Sequence, residues 1–105
     1  MSPETLVLAA AMSEAVSERD LRGKSYAGAS LCAIVFTQVR LAQVDFRGAD
    51  LREAVFERCD LSGAIFTGAR LRHAVFDRCT MTHVDLRQAS LQGATFSSCD
   101  LKHGQ

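Results

Sequence analysis

The sequence predicts a solenoid, a chain wound into stacked turns of one repeated unit, and two features of its spacing carry that prediction. From Leu21 to Leu101 a bulky apolar residue recurs at every fifth position without a miss. The centres are Leu21, Tyr26, Leu31, Phe36, Leu41, Phe46, Leu51, Phe56, Leu61, Phe66, Leu71, Phe76, Met81, Leu86, Leu91, Phe96 and Leu101. Two places before each centre from Leu31 onward stands a small or apolar residue, in the series Ala29, Ile34, Val39, Val44, Ala49, Ala54, Cys59 and so on to Cys99. Every Phe, the single Tyr and every Leu after residue 20 fall in this one phase. A five-residue period fits neither the helical nor the simple strand period. Unbroken self-similarity at a fixed spacing is the mark of a repeat architecture.

The chain opens on a different pattern. Ser2 is placed to cap a helix, Pro3 suits its first position, and Glu4 complements the positive end of its dipole. Leu6 to Met12 is helix-compatible and apolar nearly all round, and Glu14, Glu18 and Arg19 restore polarity, so the helix is expected to end between residues 16 and 19. Its role in this reading is to cover the open first turn of the array, with Leu6, Val7 and Ala10 as the cap surface. The division expected is a capping helix over 1–18 and repeats over 19–103. Arg19 and Lys24 occupy the first two small positions and do not suit a packed interior, so the first turn is expected to be irregular.

The blocks Ala49-Asp50-Leu51-Arg52-Glu53 and Cys59-Asp60-Leu61-Ser62-Gly63 resemble the loose A(D/N)Lxx consensus of the pentapeptide-repeat family. That resemblance implies an all-β solenoid: a right-handed quadrilateral β-helix with one block per side, four blocks per coil and about four coils, preceded by the capping helix. With four sides, residues twenty apart stack at roughly the 4.8 Å spacing of paired strands. The sequence bears this order independently. One column of centres is Leu21, Leu41, Leu61, Met81, Leu101 and the next is Tyr26, Phe46, Phe66, Leu86; the third is all Leu and the fourth, from Phe36 to Phe96, all Phe. Gly23, Gly28, Gly48, Gly63, Gly68 and Gly93 all lie two places after a centre, where a corner needing positive φ favours glycine.

Composition bounds the chemistry. Twelve basic and twelve acidic side chains cancel, which provides no general attraction to nucleic acid or to an anionic membrane. The longest apolar run, Leu6 to Met12, is seven residues, against the roughly twenty that span a bilayer. Glu4 puts the wrong charge before that run for a secretory signal, and four Cys without a CxxC pair read as reduced thiols, so the location expected is cytoplasmic. Cys59, Cys79 and Cys99 share one column. Stacked parallel side chains present a single direction, whereas zinc needs ligands converging as a tetrahedron, so these thiols read as buried and inert and no metal site is expected. Cys32, one place after a centre, is the thiol expected outside. His83 and His103 share an outward column, His73 lies on another side, and no nucleophile-base pairing or phosphate-binding glycine loop occurs. No catalytic residue and no cofactor is expected.

Three surfaces remain as candidates for binding. On three sides the residue before each centre is polar, with Ile65 the exception, but on the Phe side it is Val35, Val55, Val75 and Thr95, a stripe expected to be exposed and flanked by Glu57, Asp77, Arg58 and Arg78. The last coil, with Phe96, Cys99 and Leu101, is expected to need cover, and family dimers suggest a homodimer stacked there about a two-fold axis. The outer face of the Leu6 to Met12 helix is the third. The family implies two roles, an interaction or scaffold module with a protein partner, and a DNA mimic that binds a type II topoisomerase. A mimic needs an acidic stripe, yet Asp45 lies near Arg47, Asp85 near Arg87 and Glu53 near Arg52, so the signs cancel. The reading favoured is a non-catalytic interaction module, with no direct nucleic acid or membrane binding.

Overall fold

The computed structural model describes all 105 residues. Its first element is helix α1, Pro3–Ala11, started as its residues predict: the Ser2 side chain accepts the Thr5 amide at 3.2 Å and Pro3 occupies the first turn. Five short strands follow, β1 Val16–Ser17, β2 Val35–Thr37, β3 Val55–Glu57, β4 Val75–Asp77 and β5 Thr95–Ser97, in one parallel sheet ordered β1-β2-β3-β4-β5. Phe36 pairs with Phe56, Phe56 with Phe76 and Phe76 with Phe96. This sheet is the Phe side of a square coil. The other three sides are held by single parallel bridges, such as Asp20 to Arg40 to Asp60, Ser25 to Asp45 to Ile65, and Ser30 to Asp50 to Arg70. Every pairing joins residues twenty apart, so four blocks make one turn of a right-handed β-helix, the hand that parallel crossover connections take.

The corners are tight turns. On the three bridged sides the amide three residues after a centre donates back to the centre's carbonyl, as from Ala29 to Tyr26 at 3.1 Å and Ala54 to Leu51 at 3.1 Å. The residue between them, two places after the centre, has positive φ, which is the requirement of a type II turn. Gly63 meets it at φ 68, but Ala33 (φ 64), Glu53 (φ 62) and His73 (φ 60) meet it as well. Glycine is therefore favoured at the corners and not required, since the backbone ladder above and below holds the strained residue in place.

All 28 buried residues are apolar and form one core. Phe36, Phe56 and Phe76 are wholly buried, with ring centroids 5.2 and 4.7 Å apart along the column, and each such side chain contributes about 1.5–3 kcal/mol by burial. Neighbouring columns meet edge to face, as at Phe56 and Phe66 with interplanar angle 89°, the arrangement that complementary ring quadrupoles favour. Tyr26 begins the second column. Its hydroxyl donates to the Met1 carbonyl at 2.8 Å and ties the start of the chain to the first coil.

The helix is shorter than expected. It stops at Ala11 with Met12 as C-cap, Ser13 turns left-handed at φ 57, and Val16 already pairs with Phe36 in the sheet. Val16 is thus a repeat centre five places before Leu21, and the solenoid takes in residues expected to be helical. The last helical turn carries no basic side chain to prolong it against the dipole, and β-branched Val16 suits an extended side of the coil. Arg19 and Lys24 stand exposed at the small positions of this first coil, but its backbone is regular against the expectation: the Lys24 amide closes the usual turn on the Leu21 carbonyl at 3.2 Å and Asp20 bridges to Arg40.

Candidate interaction surfaces

The outer wall is lined by a repeated local device. Where Asp precedes a centre, its carboxylate accepts the amide of the residue two places on, as Asp45 does from Arg47 at 2.9 Å and Asp60 from Ser62 at 3.0 Å. If that residue is Arg, its side chain folds back on the same carboxylate. Asp20 with Arg22, Asp45 with Arg47, Asp50 with Arg52, and Asp85 with Arg87 are all paired this way at 2.6 to 2.7 Å. Arg52 therefore pairs with Asp50 and not with Glu53, because the fork needs two planar contacts that the i, i+2 spacing over a bridge provides. The guanidinium hydrogen bond first, and the backbone amide second, hold the Asp20 and Asp85 carboxyls down to about 2.

The thiol column is also built by the backbone. Cys59, Cys79 and Cys99 lie three places after Phe centres, where no turn bond closes. Their sulfurs donate instead to the Phe carbonyl of the preceding coil, Cys79 to Phe56 at 3.2 Å and Cys99 to Phe76 at 3.3 Å. Contact with the Cys59 thiol first, and burial second, push the Cys79 thiol up, and burial raises Cys99. All four cysteines are free and Cys32 is exposed. His83 and His103 stack with centroids 5.0 Å apart.

The three candidate surfaces differ in what they offer. Val35, Val55 and Val75 are aligned in register but half-buried, with Thr95 exposed at the end; side chains stacked at strand spacing shield one another, so the stripe is narrower than a fully exposed one. Glu57 and Asp77 stack beside it, and Arg78 approaches Asp77 at 4.0 Å. On α1, Leu6 and Ala10 are buried against the coil and closed to a partner, while Val7 is half-buried at the edge of the helix's contact with the first coil. The outward residues are Leu8, 58% exposed, and Met12, 60% exposed.

The C-terminal end is open. Phe96 and Cys99 are half-buried and Leu101 is 41% exposed. Leu86 and Leu91, which sequence reasoning passed over, are half-buried too and complete a ring of four centres at this end. The spacing does reveal them, since the last centre of each column is the one with no residue twenty places further on. The amides of Leu71 and His73 donate to Ser90 and Gln92 of the next coil, whereas those of Leu91, Gly93, Leu101 and His103 make no hydrogen bond.

Two family models match the chain, one described as a pentapeptide repeat region over residues 49–105 and one as pentapeptide repeats, eight copies, over residues 29–68. The chain belongs to the pentapeptide-repeat family. Among solved structures, this pentapeptide-repeat protein is similar to one from the thylakoid lumen of Arabidopsis thaliana, at 38% identity and TM-score 0.79, covering 82% of this chain and 60% of that one. It is also similar to a trypsin-treated form of QnrB1, a plasmid-mediated fluoroquinolone resistance protein, at 23% identity and TM-score 0.83, covering 87% and 47%. A protein from Nostoc PCC 7120 aligns at 22% identity and TM-score 0.54, covering 97% of this chain and 100% of that one. Against the first two, the pentapeptide-repeat chain spans 47 to 60% of the relative's length. The two likenesses under 25% identity speak for the fold. No protein of curated function matches the sequence. No helix is long and apolar enough to cross a membrane.

Proposed function

We propose that this protein is a non-catalytic interaction module that associates with itself, and with a protein partner, through surfaces built on the rigid coil. One observation carries the reading: the ring of Leu86, Leu91, Phe96 and Leu101 at the C-terminal end, bordered by amides without acceptors. An end of this kind combines apolar area with unpaired strand edges, and both are satisfied when a second coil stacks on it. A two-fold axis through that end closes two copies at once, because each presents the same patch to the other. The stripe of Val35, Val55 and Val75 competes as an interface. Analytical ultracentrifugation of two variants separates them. Leu101→Glu is expected to dissociate the dimer and Val55→Glu to leave it intact, and the reverse result moves the interface to the stripe.

A DNA-mimic role at a type II topoisomerase is the second reading, prompted by the fold shared with QnrB1. The arginine-paired carboxylates of Asp20, Asp45, Asp50 and Asp85 count against it, since a phosphate-like surface needs those charges uncompensated. Clear inhibition of gyrase supercoiling, or protection of gyrase from a quinolone, at low micromolar protein would establish the second reading over the first.

A further inference from the structure

One block breaks the charge device of the outer wall. Arginine stands one place after a centre at Arg22, Arg47, Arg52, Arg72 and Arg87, and in four of these five blocks an Asp stands one place before the same centre. That carboxylate takes two kinds of donor from its arginine, the backbone amide at 2.9 to 3.3 Å and the side-chain fork at 2.6 to 2.7 Å. In the fifth block the aspartate's position is held by Arg70. Arg70 and Arg72 are both exposed, neither has an ion-pair partner, and the Arg72 amide makes no hydrogen bond. Asp50, one coil before Arg70, is already forked by Arg52 at 2.8 and 2.7 Å. One coil after it, Ser90 is exposed and uncharged. The block keeps the donors of the device, adds a second cation, and lacks the acceptor.

We infer that Arg70 and Arg72 bind an acidic, extended segment of a partner protein, one of whose carboxylates takes the position over the Arg72 amide and guanidinium that aspartate fills in the other four blocks. The inference rests on the interaction-module reading and gives the module a charged contact on the wall of the coil, apart from the apolar ring at its end. Three arguments select this occupant. A guanidinium fork beside a backbone amide matches the planar, two-oxygen acceptor that a carboxylate provides. Arg70 and Arg72 lie two residues apart on one outward wall, and an extended segment presents alternate side chains on one side at a similar spacing. A nucleic acid needs cations along the track of its phosphates, whereas here the coil before carries Asp50 and Glu53 on the same wall.

Two peptides of roughly eight residues test this, with glutamate or glutamine at alternate positions and serine between them, about 25 Å long when extended. Titrated into the nitrogen-15-labelled full chain at low salt, the glutamate peptide is expected to shift the NMR signals of the Arg72 amide and of the Arg70 and Arg72 Nε groups. Its dissociation constant is expected on the order of 100 micromolar, weakening about threefold or more at about 0.5 M salt, and the glutamine peptide is expected to bind at least about tenfold more weakly. Arg70→Asp rebuilds the device of the other blocks. Arg72 is then expected to fork on the introduced carboxylate, with the melting temperature kept and affinity for the glutamate peptide reduced about tenfold or more. The double variant Arg40→Gln, Arg58→Gln removes two other unpaired cations and is expected to leave binding within about twofold. An Arg72 amide that does not move, equal binding of the two peptides, unchanged affinity in Arg70→Asp, or an equal loss in the double variant would overturn the inference. Tighter binding of a single-stranded oligonucleotide of the same length would overturn it in favour of phosphates, and loss of the dimer in Arg70→Asp would overturn it in favour of the acids of a second copy. A dimer that ignores the glutamate peptide ends this inference and leaves the module reading standing; that reading fails separately, on self-association.

Discussion

At the residue scale, the aspartate before a centre and the residue two places after it set the local energetics. The four Asp–Arg pairs are exposed, so each is worth little on its own. Their pH dependence is nonetheless defined. Asp20 and Asp85 are lowered to about 2 in the folded chain, against about 3.9 when unfolded. A carboxyl lowered by folding stabilises the native state above the unfolded value and loses that contribution as pH falls through the folded one. The urea midpoint is therefore expected to stay level from neutral pH to about 4 and to decline between about 4 and 2; a midpoint that rises on acidification contradicts the pairing. The corners give a stabilising substitution. Ala33 holds φ 64, is exposed, and occupies the same turn position as Gly28 and Gly48. Ala33→Gly relieves a left-handed alanine and is expected to raise stability by about 1 kcal/mol. Denaturant unfolding checks this, and a loss of stability would show that the corner is unstrained.

At the element scale, the repeat was legible in the sequence and the helix boundary was not. Each centre from Leu31 onward announces itself because its column neighbours twenty residues away are bulky and apolar like it and its small partner is Ala, Ile, Val or Cys. Val16 belongs to the same series, but Glu14 stands where its small partner should be and Ser13 turns the chain left-handed just before it. The signal of the first block is thus masked by a polar run that reads equally well as the end of a helix. Charge cancellation is legible from Asp45 beside Arg47 and Asp85 beside Arg87, but the neighbour Glu53 gives no hint that Arg52 forks onto Asp50, the carboxylate two places before it. What holds α1 in place is also invisible in a repeat pattern. Tyr26 looks like one more aromatic centre, yet its hydroxyl bonds the Met1 carbonyl at 2.8 Å. Tyr26→Phe keeps the ring and removes that bond, with an expected loss of about 1 kcal/mol and faster amide exchange confined to α1. Exchange unchanged in α1 would mean that packing of Leu6, Ala9 and Ala10 alone seats the cap.

At the scale of the whole molecule, a solenoid has two ends, and here they are unlike. The N-terminal end is closed by a helix whose buried face is Leu6, Ala9 and Ala10, while the other ends on a ring of partly exposed centres. The spacing located the open end through Phe96, Cys99 and Leu101, but Leu86 and Leu91 complete it because the last turn of a square coil takes one centre from each side. The walls between are closed by stacked side chains and arginine-paired carboxylates, so the ends carry the largest exposed apolar side chains: Leu8 and Met12 at one, Leu101 at the other. Self-association through the open end is the central claim. Light scattering over a range of protein concentrations tests it most directly: the account predicts a species of twice the 11.4 kDa chain mass that gives way to monomer in Leu101→Glu, and a mass of 11.4 kDa for the unmodified protein at every concentration would contradict it.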